Sequence, residues 1–397
     1  MKAKSIFPIF LVLILLRQSM AYNVFIWMNS YVIVVWGIMC FLSFLIFYNH
    51  KQISFNLLLP YLLLSMGALF SIRSHITPFI AHFSILLPVL SFFLLPKDKL
   101  FLLLRTLEKI FFILITISFF LYLLDKLEIL PIVNKTILRQ YEFNNYLLYL
   151  NVKGYNGAFC GFSLEPGYIS LLLVSLLTIN EYDFSIRRNW IYLASLLCSL
   201  SLGGYILGFI SFILFKTINQ KSVSKSFMVL IGIIIVFAGI VLFAFSYNNG
   251  DNIIAEKILN RLMFDEELGI VGNNRENAIA REIYDSYFYS DKIWLGIGLE
   301  AFEKARNING INACSWREFV IVYGAFYTFI YFVASLYLFS KTYMKKTLPF
   351  YVVFWLDFIQ HGDLYSETLY LAIIVMLINM KKKLAHNKNI VTCSIKM

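Results

Sequence analysis

The stretch LFLLLRTLEKIFFILITISFFLYLL, residues 100–124, decides how the rest of the chain is read. It is a long apolar segment preceded by Lys97 and Lys99, with Arg105 and Lys109 in its first turns. A helix needs about 20 mostly apolar residues to cross a hydrocarbon core of about 30 Å. This segment has that length, and its basic residues gather at one end, as they do on the cytoplasmic side of a membrane span. Working outward, comparable segments recur at 24–48, 53–72, 77–95, 167–182, 227–246 and 318–340, with shorter ones at 6–21, 348–360 and 366–380.

Composition points the same way. Charged residues make up 14% of the 397-residue chain, against about a quarter in soluble domains. Hydrophobic residues make up 60%, with 39 Phe and 25 Tyr, so much of this surface has to meet lipid rather than water. The formal charge of +11 would suit a nucleic-acid partner. Its distribution excludes that reading, because the basic residues cluster between apolar segments: Lys97/Lys99/Arg105/Lys109, Arg187/Arg188, Lys216/Lys221/Lys225, Lys341/Lys345/Lys346 and Lys381/Lys382/Lys383. The positive-inside rule places each cluster in the cytoplasm. The five cysteines follow no CxxC spacing, which gives neither a zinc site nor a redox dithiol. No pair of histidines has metal-ligand spacing, and no cofactor is expected.

The expected fold class is all-α: a single polytopic membrane domain over 1–397 with about twelve spans and both termini in the cytoplasm. Lys2, Lys4, the apolar run Ile6–Leu16 and Ser19-Met20-Ala21 resemble a secretory signal peptide. Arg17 ends that run, and topology parity favours keeping it as a first helix. The segment 190–217 has basic residues at both ends, Arg187/Arg188 and Lys216, so it starts and ends inside. It turns at Ser201-Leu202-Gly203-Gly204. Each arm holds about 12 residues, roughly 18 Å of helix, which predicts a broken or re-entrant hairpin. Irregular backbone at that depth is tolerated only where protein or a water-filled cavity covers it, so the hairpin hints at a site.

Two extracytoplasmic loops follow from this topology, 131–166 and 247–317. The second is large and charged, and it contains Trp294, Trp316 and several tyrosines. Ile279, Ile283, Tyr287 and Phe288 repeat at helical spacing, which predicts an amphipathic surface helix over Asn273–Ser290. Arg275 falls four residues before Ile279, near the apolar face, where a guanidinium can grip a pyrophosphate through two hydrogen bonds. Arg281 and Asp285 stand at i,i+4, so a simple solvated pair also accounts for them. Gly296-Ile297-Gly298 is too short for a nucleotide fingerprint and reads as a turn. His361 lies near Asp357, Asp363 and Glu367 at an outer turn. Cys160 and Cys314 both fall outside the cytoplasm, where an oxidising compartment allows them to pair.

Glu165-Pro166-Gly167-Tyr168 closes the first loop immediately before a span. Proline is at home in the first turn of a helix, and Glu165 would then be a carboxylate favoured by the helix dipole. The other reading is chemical: a carboxylate held at a membrane surface is placed as a general base.

Taken in order, these motifs resemble the O-antigen and capsular polysaccharide polymerases, which polymerise oligosaccharide repeat units. Glu165-Pro166-Gly167-Tyr168 looks like their Glu-Pro motif, and Ser199-Leu200-Ser201-Leu202-Gly203-Gly204 resembles their Ser-x-x-Gly segment. Asn274-Arg275 followed by Trp294-Leu295-Gly296-Ile297-Gly298 is similar to their Arg…Gly-x-Gly pattern, and Tyr323-Gly324 completes the series. The resemblance covers about 150–330. The Arg that often precedes the Glu-Pro motif is missing near Ala158, where Lys153 is the nearest base. The large loop ends Asn312-Ala313-Cys314-Ser315-Trp316, without the His typical of the related O-antigen ligases. The resemblance implies glycosyl transfer between undecaprenyl-pyrophosphate-linked oligosaccharides at the outer face of a bacterial cytoplasmic membrane, without metal or nucleotide. Glu165 and Arg275 would be catalytic, and Tyr168, Lys153, Arg281, Arg317 and His361 would bind substrate. A chain-length regulator and a flippase of the same pathway would be partners. A ligase using a lipid-A-core acceptor and a transporter of the same lipid-linked sugar stay open as alternatives.

Overall fold

Thirty consecutive residues, Lys97–Lys126, form helix α1, about 45 Å long at 1.5 Å per residue. Asp98 in its first turn and Lys126 in its last complement the helix dipole. Leu100, Leu103, Leu104, Leu107, Phe111 and Ile115 are buried along one face, while Phe101, Leu102, Ile113, Ile117, Phe120 and Leu123 are exposed on the others. A helix that is apolar all round is either buried or lies in lipid, and only 33% of the apolar window in α1 is buried.

In this computed structural model the described residues are 97–138, 141–153, 157–219, 264–265, 269–270, 278–309, 316–342 and 347–361, with scattered positions between 35 and 95 and beyond 240. They are mostly helical, at 74%, as the all-α expectation requires. One described helix, Asp98–Lys126, is long and apolar enough to cross a membrane. A second candidate is a bent pair, described below. The apolar segments expected near the N-terminus, at 227–246 and at 366–380 lie almost wholly outside the described residues. The chain divides into two units, 1–114 with 279–347 and 357–397, and 115–278 with 348–356. Each is described by itself.

In the second of these units the segment 131–166, expected to be a loop outside the cytoplasm, contains a small antiparallel meander. Strands β1 (Asn134–Leu138), β2 (Tyr141–Asn145) and β3 (Leu150–Val152) lie in that order. The turn between β2 and β3 places Leu147 at φ 73°. The Asn145 side chain satisfies it by accepting the Leu147 N–H at 2.8 Å. A two-residue pair, β4 (Phe264–Asp265) with β5 (Gly269–Ile270), adds a short hairpin in the second loop.

Helices α2 (Pro166–Ile179), α3 (Arg187–Cys198) and α4 (Leu202–Asn219) follow the meander. The chain breaks between α3 and α4 at residues 199–201; of the turn expected at Ser201-Leu202-Gly203-Gly204, only Ser201 falls in the break, and Leu202–Gly204 already belong to the first turn of α4. Helix α2 packs against both α3 and α4. Its contact with α4 runs through Gly204 and Gly208, four residues apart. A Cβ on Gly204 would fall 2.3 Å from the Ser170 Cβ, and one on Gly208 would fall 3.4 Å from a Val174 methyl. Small residues at this spacing let helix backbones approach closely. Tyr182, just beyond α2, donates to the Gly208 carbonyl at 3.2 Å and shares a hydrogen bond with Ser211.

In the other unit, α5 (Ala278–Phe288), α6 (Lys292–Leu295), α7 (Leu299–Asn309), α8 (Trp316–Tyr323) and α9 (Ala325–Thr342) follow one another. Helix α10 is Leu348–His361. The amphipathic helix expected over 273–290 is therefore α5, described from residue 278. The span expected at 318–340 is bent by 118° between α8 and α9. Rings line the inside of this bend. Phe319 meets Phe358 edge-on at 4.8 Å, and Tyr331 stacks on Phe358 at 5.3 Å. The Tyr327 hydroxyl donates to the Leu64 carbonyl at 2.6 Å. On the other side of α9, Phe326, Phe329, Val333 and Leu336 form an exposed stripe.

Candidate functional site

Glu165 occupies the N-cap position of α2, with extended backbone (φ −134°, ψ 146°) and Pro166 beginning the helix. Its side chain makes no capping hydrogen bond, although a carboxylate at this position ordinarily accepts one. The residue is half-buried. Tyr168, one turn into α2, is buried. Glu165 is therefore held by the helix start while its carboxylate is not used up in capping.

The loop behind Glu165 is built on aromatic rings. Tyr146 stacks on Tyr149 at 5.6 Å, Tyr149 on Phe159 at 6.3 Å, and Tyr122 meets Phe159 edge-on at 5.4 Å. Asp125, near the end of α1, ties this cluster down. It accepts hydrogen bonds from the Tyr146 hydroxyl at 2.5 Å, the Tyr149 hydroxyl at 3.2 Å and the Asn151 amide at 2.8 Å. Burial, reinforced by Asp125, pushes both phenols well above their ordinary range. They remain neutral donors. Ser118 donates to the Leu148 carbonyl and the Tyr122 hydroxyl to the Gly157 carbonyl at 3.0 Å, adding two more ties between α1 and the loop. The loop then joins the helices, since the Phe159 N–H donates to the Cys198 carbonyl at 2.8 Å.

Cys160 is a fully buried free thiol. Burial above all raises its pKa well above the usual value; the Glu165 carboxylate adds to the effect and Lys126 opposes it. Two opposite charges thus act on one buried thiol, which stays a neutral packing group. Cys314, its expected partner, lies outside the described residues. Lys126 is exposed, with its ammonium 5.5 Å from the Tyr122 ring centre. Lys153 is engaged differently. Its ammonium donates to Glu142 at 2.6 Å, with Lys135 4.0 Å from the same carboxylate. The Lys153 hydrogen bond holds Glu142 below the ordinary carboxylate range.

In the other unit, Arg317 projects from the first turn of α8, half-buried. Its guanidinium lies 5.0 Å from the Tyr284 ring centre and 5.8 Å from that of Trp316. Cation–π contact of this kind holds a guanidinium against its rings. Arg281 is in α5, one turn before Tyr284, and its side chain lies outside the described part. Arg275 is likewise outside the described residues. His361 is the last residue of α10, and nothing of its side chain is described.

The segment Gly296-Ile297-Gly298 does more than turn. The Ile297 N–H donates to the Ile321 carbonyl at 2.9 Å, and the Gly298 N–H to the Val322 carbonyl at 3.0 Å. These are carbonyls that the break after α8 would otherwise leave without helical partners. Gly296 (φ 68°) and Gly324 (φ 85°) touch back to back. A Cβ on Gly296 would come within 2.4 Å of the Val322 oxygen, and one on Gly324 within 2.4 Å of the Trp294 oxygen. The Gly-x-Gly and Tyr-Gly motifs are two halves of one joint.

Sequence reasoning missed Asp125, Lys126 and Tyr122. The available signal was an acid–base pair directly after the apolar segment 100–124. Among the described residues no cluster of His, Cys, Asp or Glu could hold a metal ion. Comparisons with protein-family models, curated proteins and solved structures return no match.

Proposed function

We propose that this chain is a polytopic enzyme of about twelve spans that polymerises lipid-linked oligosaccharide repeat units at the outer face of a bacterial cytoplasmic membrane. The observation that carries the reading is Glu165, a carboxylate at the start of an apolar helix that its own backbone leaves uncapped. In this reading Glu165 takes the proton of an acceptor sugar hydroxyl. The acceptor oxygen then bonds to the anomeric carbon of the donor, and the bond from that carbon to the pyrophosphate oxygen breaks. The pyrophosphate leaves with the electron pair, so no nucleotide is needed. Lys126 is the better candidate than Lys153 for an anionic group near Glu165, because Glu142 already holds the Lys153 ammonium. Arg317, held against two rings, has the chemistry to receive a phosphate in its own unit.

The test is turnover by the purified protein with undecaprenyl-pyrophosphate-linked repeat units. Glu165→Gln keeps shape and removes basicity, and is expected to lower turnover by about 10²–10⁴-fold, as for general bases. Near-normal turnover in a folded variant would remove Glu165 from the mechanism. Deleting the gene should leave single repeat units on the cell surface and remove the polymer ladder.

A second reading, a transporter of the same lipid-linked sugar, draws on Glu108 and Asp357. Both are nearly fully buried in apolar helices, where ionisable groups often mark a transport path. Loss of substrate translocation in Asp357→Asn, with polymerisation intact in Glu165→Gln, would favour this reading over the first.

A further inference from the structure

The meander carries aliphatic side chains that no described residue covers. Its register shows which side they are on. Lys135 pairs with Asn144, and Asn144 with Asn151; residues paired across strands share a face. The Asn151 amide reaches Asp125 at the end of α1, 2.8 Å away, so this face is the one turned toward that end. Val133 continues the ladder, donating its N–H to the Asn145 carbonyl at 3.0 Å. Alternation along the strand puts Val133 and Ile137 on the face of Lys135. They are 54% and 77% exposed.

This apolar surface does not begin at the strand. Ile117, Phe120 and Leu123 form an exposed stripe along α1, and Leu127 and Ile129, 66% and 65% exposed, carry it past the helix end. An exposed apolar edge strand in water invites pairing with other chains, and proteins avoid it. The surface here adjoins the one described helix able by itself to cross a bilayer. The free backbone groups of edge strand β1 exclude the hydrocarbon itself, where nothing would satisfy them. The headgroup layer offers water and polar groups alongside apolar chains. Lys126 and Lys135, both exposed, put ammonium groups beside these aliphatics, the charge that a lipid phosphate requires. Glu142, across from Ile137 on the same face, lies 4.0 Å from Lys135 and 2.6 Å from Lys153, so the face as a whole keeps a net positive charge.

We infer that the Val133/Lys135/Ile137 face of the meander, with Leu127 and Ile129, is a docking surface for phospholipid, seated in the headgroup layer where α1 leaves the bilayer. The inference rests on α1 crossing the membrane, as in the proposed function, and adds the depth of the loop. The Leu150 N–H donates to the Gly161 carbonyl at 2.8 Å, which ties β3 to the segment leading into Glu165. Lipid contact by the meander therefore also fixes the height of Glu165.

The experiment is site-directed spin labelling of the full-length chain, free of its native cysteines, in lipid nanodiscs. Labels at residues 120, 123, 133, 137 and 183 are compared for relaxation by oxygen, which concentrates in lipid, and by a water-soluble nickel chelate. Labels at 133 and 137 are expected to be several-fold richer in oxygen relative to nickel than the label at 183, in the exposed polar turn after α2. Equal nickel access at 183 and 137 would overturn the inference. So would an immobilised label at 137 reached by neither agent, which would mean protein covers the face. Lipid signals at 120 and 123 with water signals at 133 and 137 would sink the docking surface alone. Water signals at all five positions would sink the membrane reading with it.

Discussion

Two apolar stretches among the described residues are interrupted, at 199–201 and at Gly324, and they are mended in different proportions by local and distant groups. The first break is mended mostly by its own side chains, with one distant tie, the Phe159 N–H donating to the Cys198 carbonyl at 2.8 Å. Ser199 donates its hydroxyl to the Leu196 carbonyl at 2.6 Å, and the Ser201 hydroxyl accepts the Gly204 N–H at 3.2 Å in the manner of a helix N-cap. The only strained residue there is Leu200, at φ 48°. At the second break the Thr328 hydroxyl donates to the Gly324 carbonyl at 2.8 Å, but no local side chain reaches the Ile321 and Val322 carbonyls among the described residues. Those two are satisfied by the backbone of Ile297 and Gly298, more than twenty residues earlier in the chain. A break with its own polar side chains depends less on the rest of the fold than a break whose carbonyls are closed mainly by a distant backbone, which is stable only when the whole joint forms.

Substitutions at the joint should break the contrast most severely. Gly324→Ala adds a Cβ 2.4 Å from a carbonyl oxygen at a φ of 85°, and is expected to cost about 3–5 kcal/mol. Thermal unfolding of the purified protein in detergent measures it. Gly298→Ala is the internal control. It has the same φ of 85° but open space around the added atom, so only the conformational cost of about 1–2 kcal/mol should remain. Equal losses at 324 and 298 would mean that close contact does not hold the joint.

Next in size is the packing behind the first break. Gly204→Ala brings a Cβ to 2.3 Å from that of Ser170 and should cost about 1–3 kcal/mol by overpacking. Adding Ser170→Gly should recover part of that loss, because the two positions share one contact. Additive losses in the double variant would show that α2 and α4 are not held through this pair.

The smallest effect should come from the first break itself. Ser201→Ala removes the hydroxyl that accepts the Gly204 N–H, and should cost about 1 kcal/mol, with α4 still helical by hydrogen exchange. A loss as large as that of Gly324→Ala would erase the difference between the two breaks.

How much of this was legible in the sequence follows the same division. The position of α1 was readable, since a long charge-poor apolar run flanked by basic residues has few alternatives. The break at 199–201 was readable to within a few residues, because Ser199 and Ser201, followed by Gly203 and Gly204, are local punctuation. Glu165 at the start of α2 was readable because proline fixes the first turn of a helix. The meander was not, because the polar run Asn134–Asn145 shows little alternation and its strands are only three to five residues long. Asp125 was passed over as one more charge at the end of a span, since its three donors come from residues 21 to 26 positions later.

By itself, then, the sequence determined what is local: where apolar runs are long enough to be helices, where charge gathers beside them, and which residues cap or begin each element. The tertiary structure decided what depends on contact at a distance. It turned Gly296-Ile297-Gly298 from a turn into the backing of a helix break, and bent the segment at 318–340 into two helices. It also gave Gly204 and Gly208 their neighbours in α2 and occupied Lys153 with Glu142. The physical reason is that a backbone carbonyl or an ammonium group looks the same in sequence whether or not it has a partner. Only the folded chain brings that partner within 3 Å.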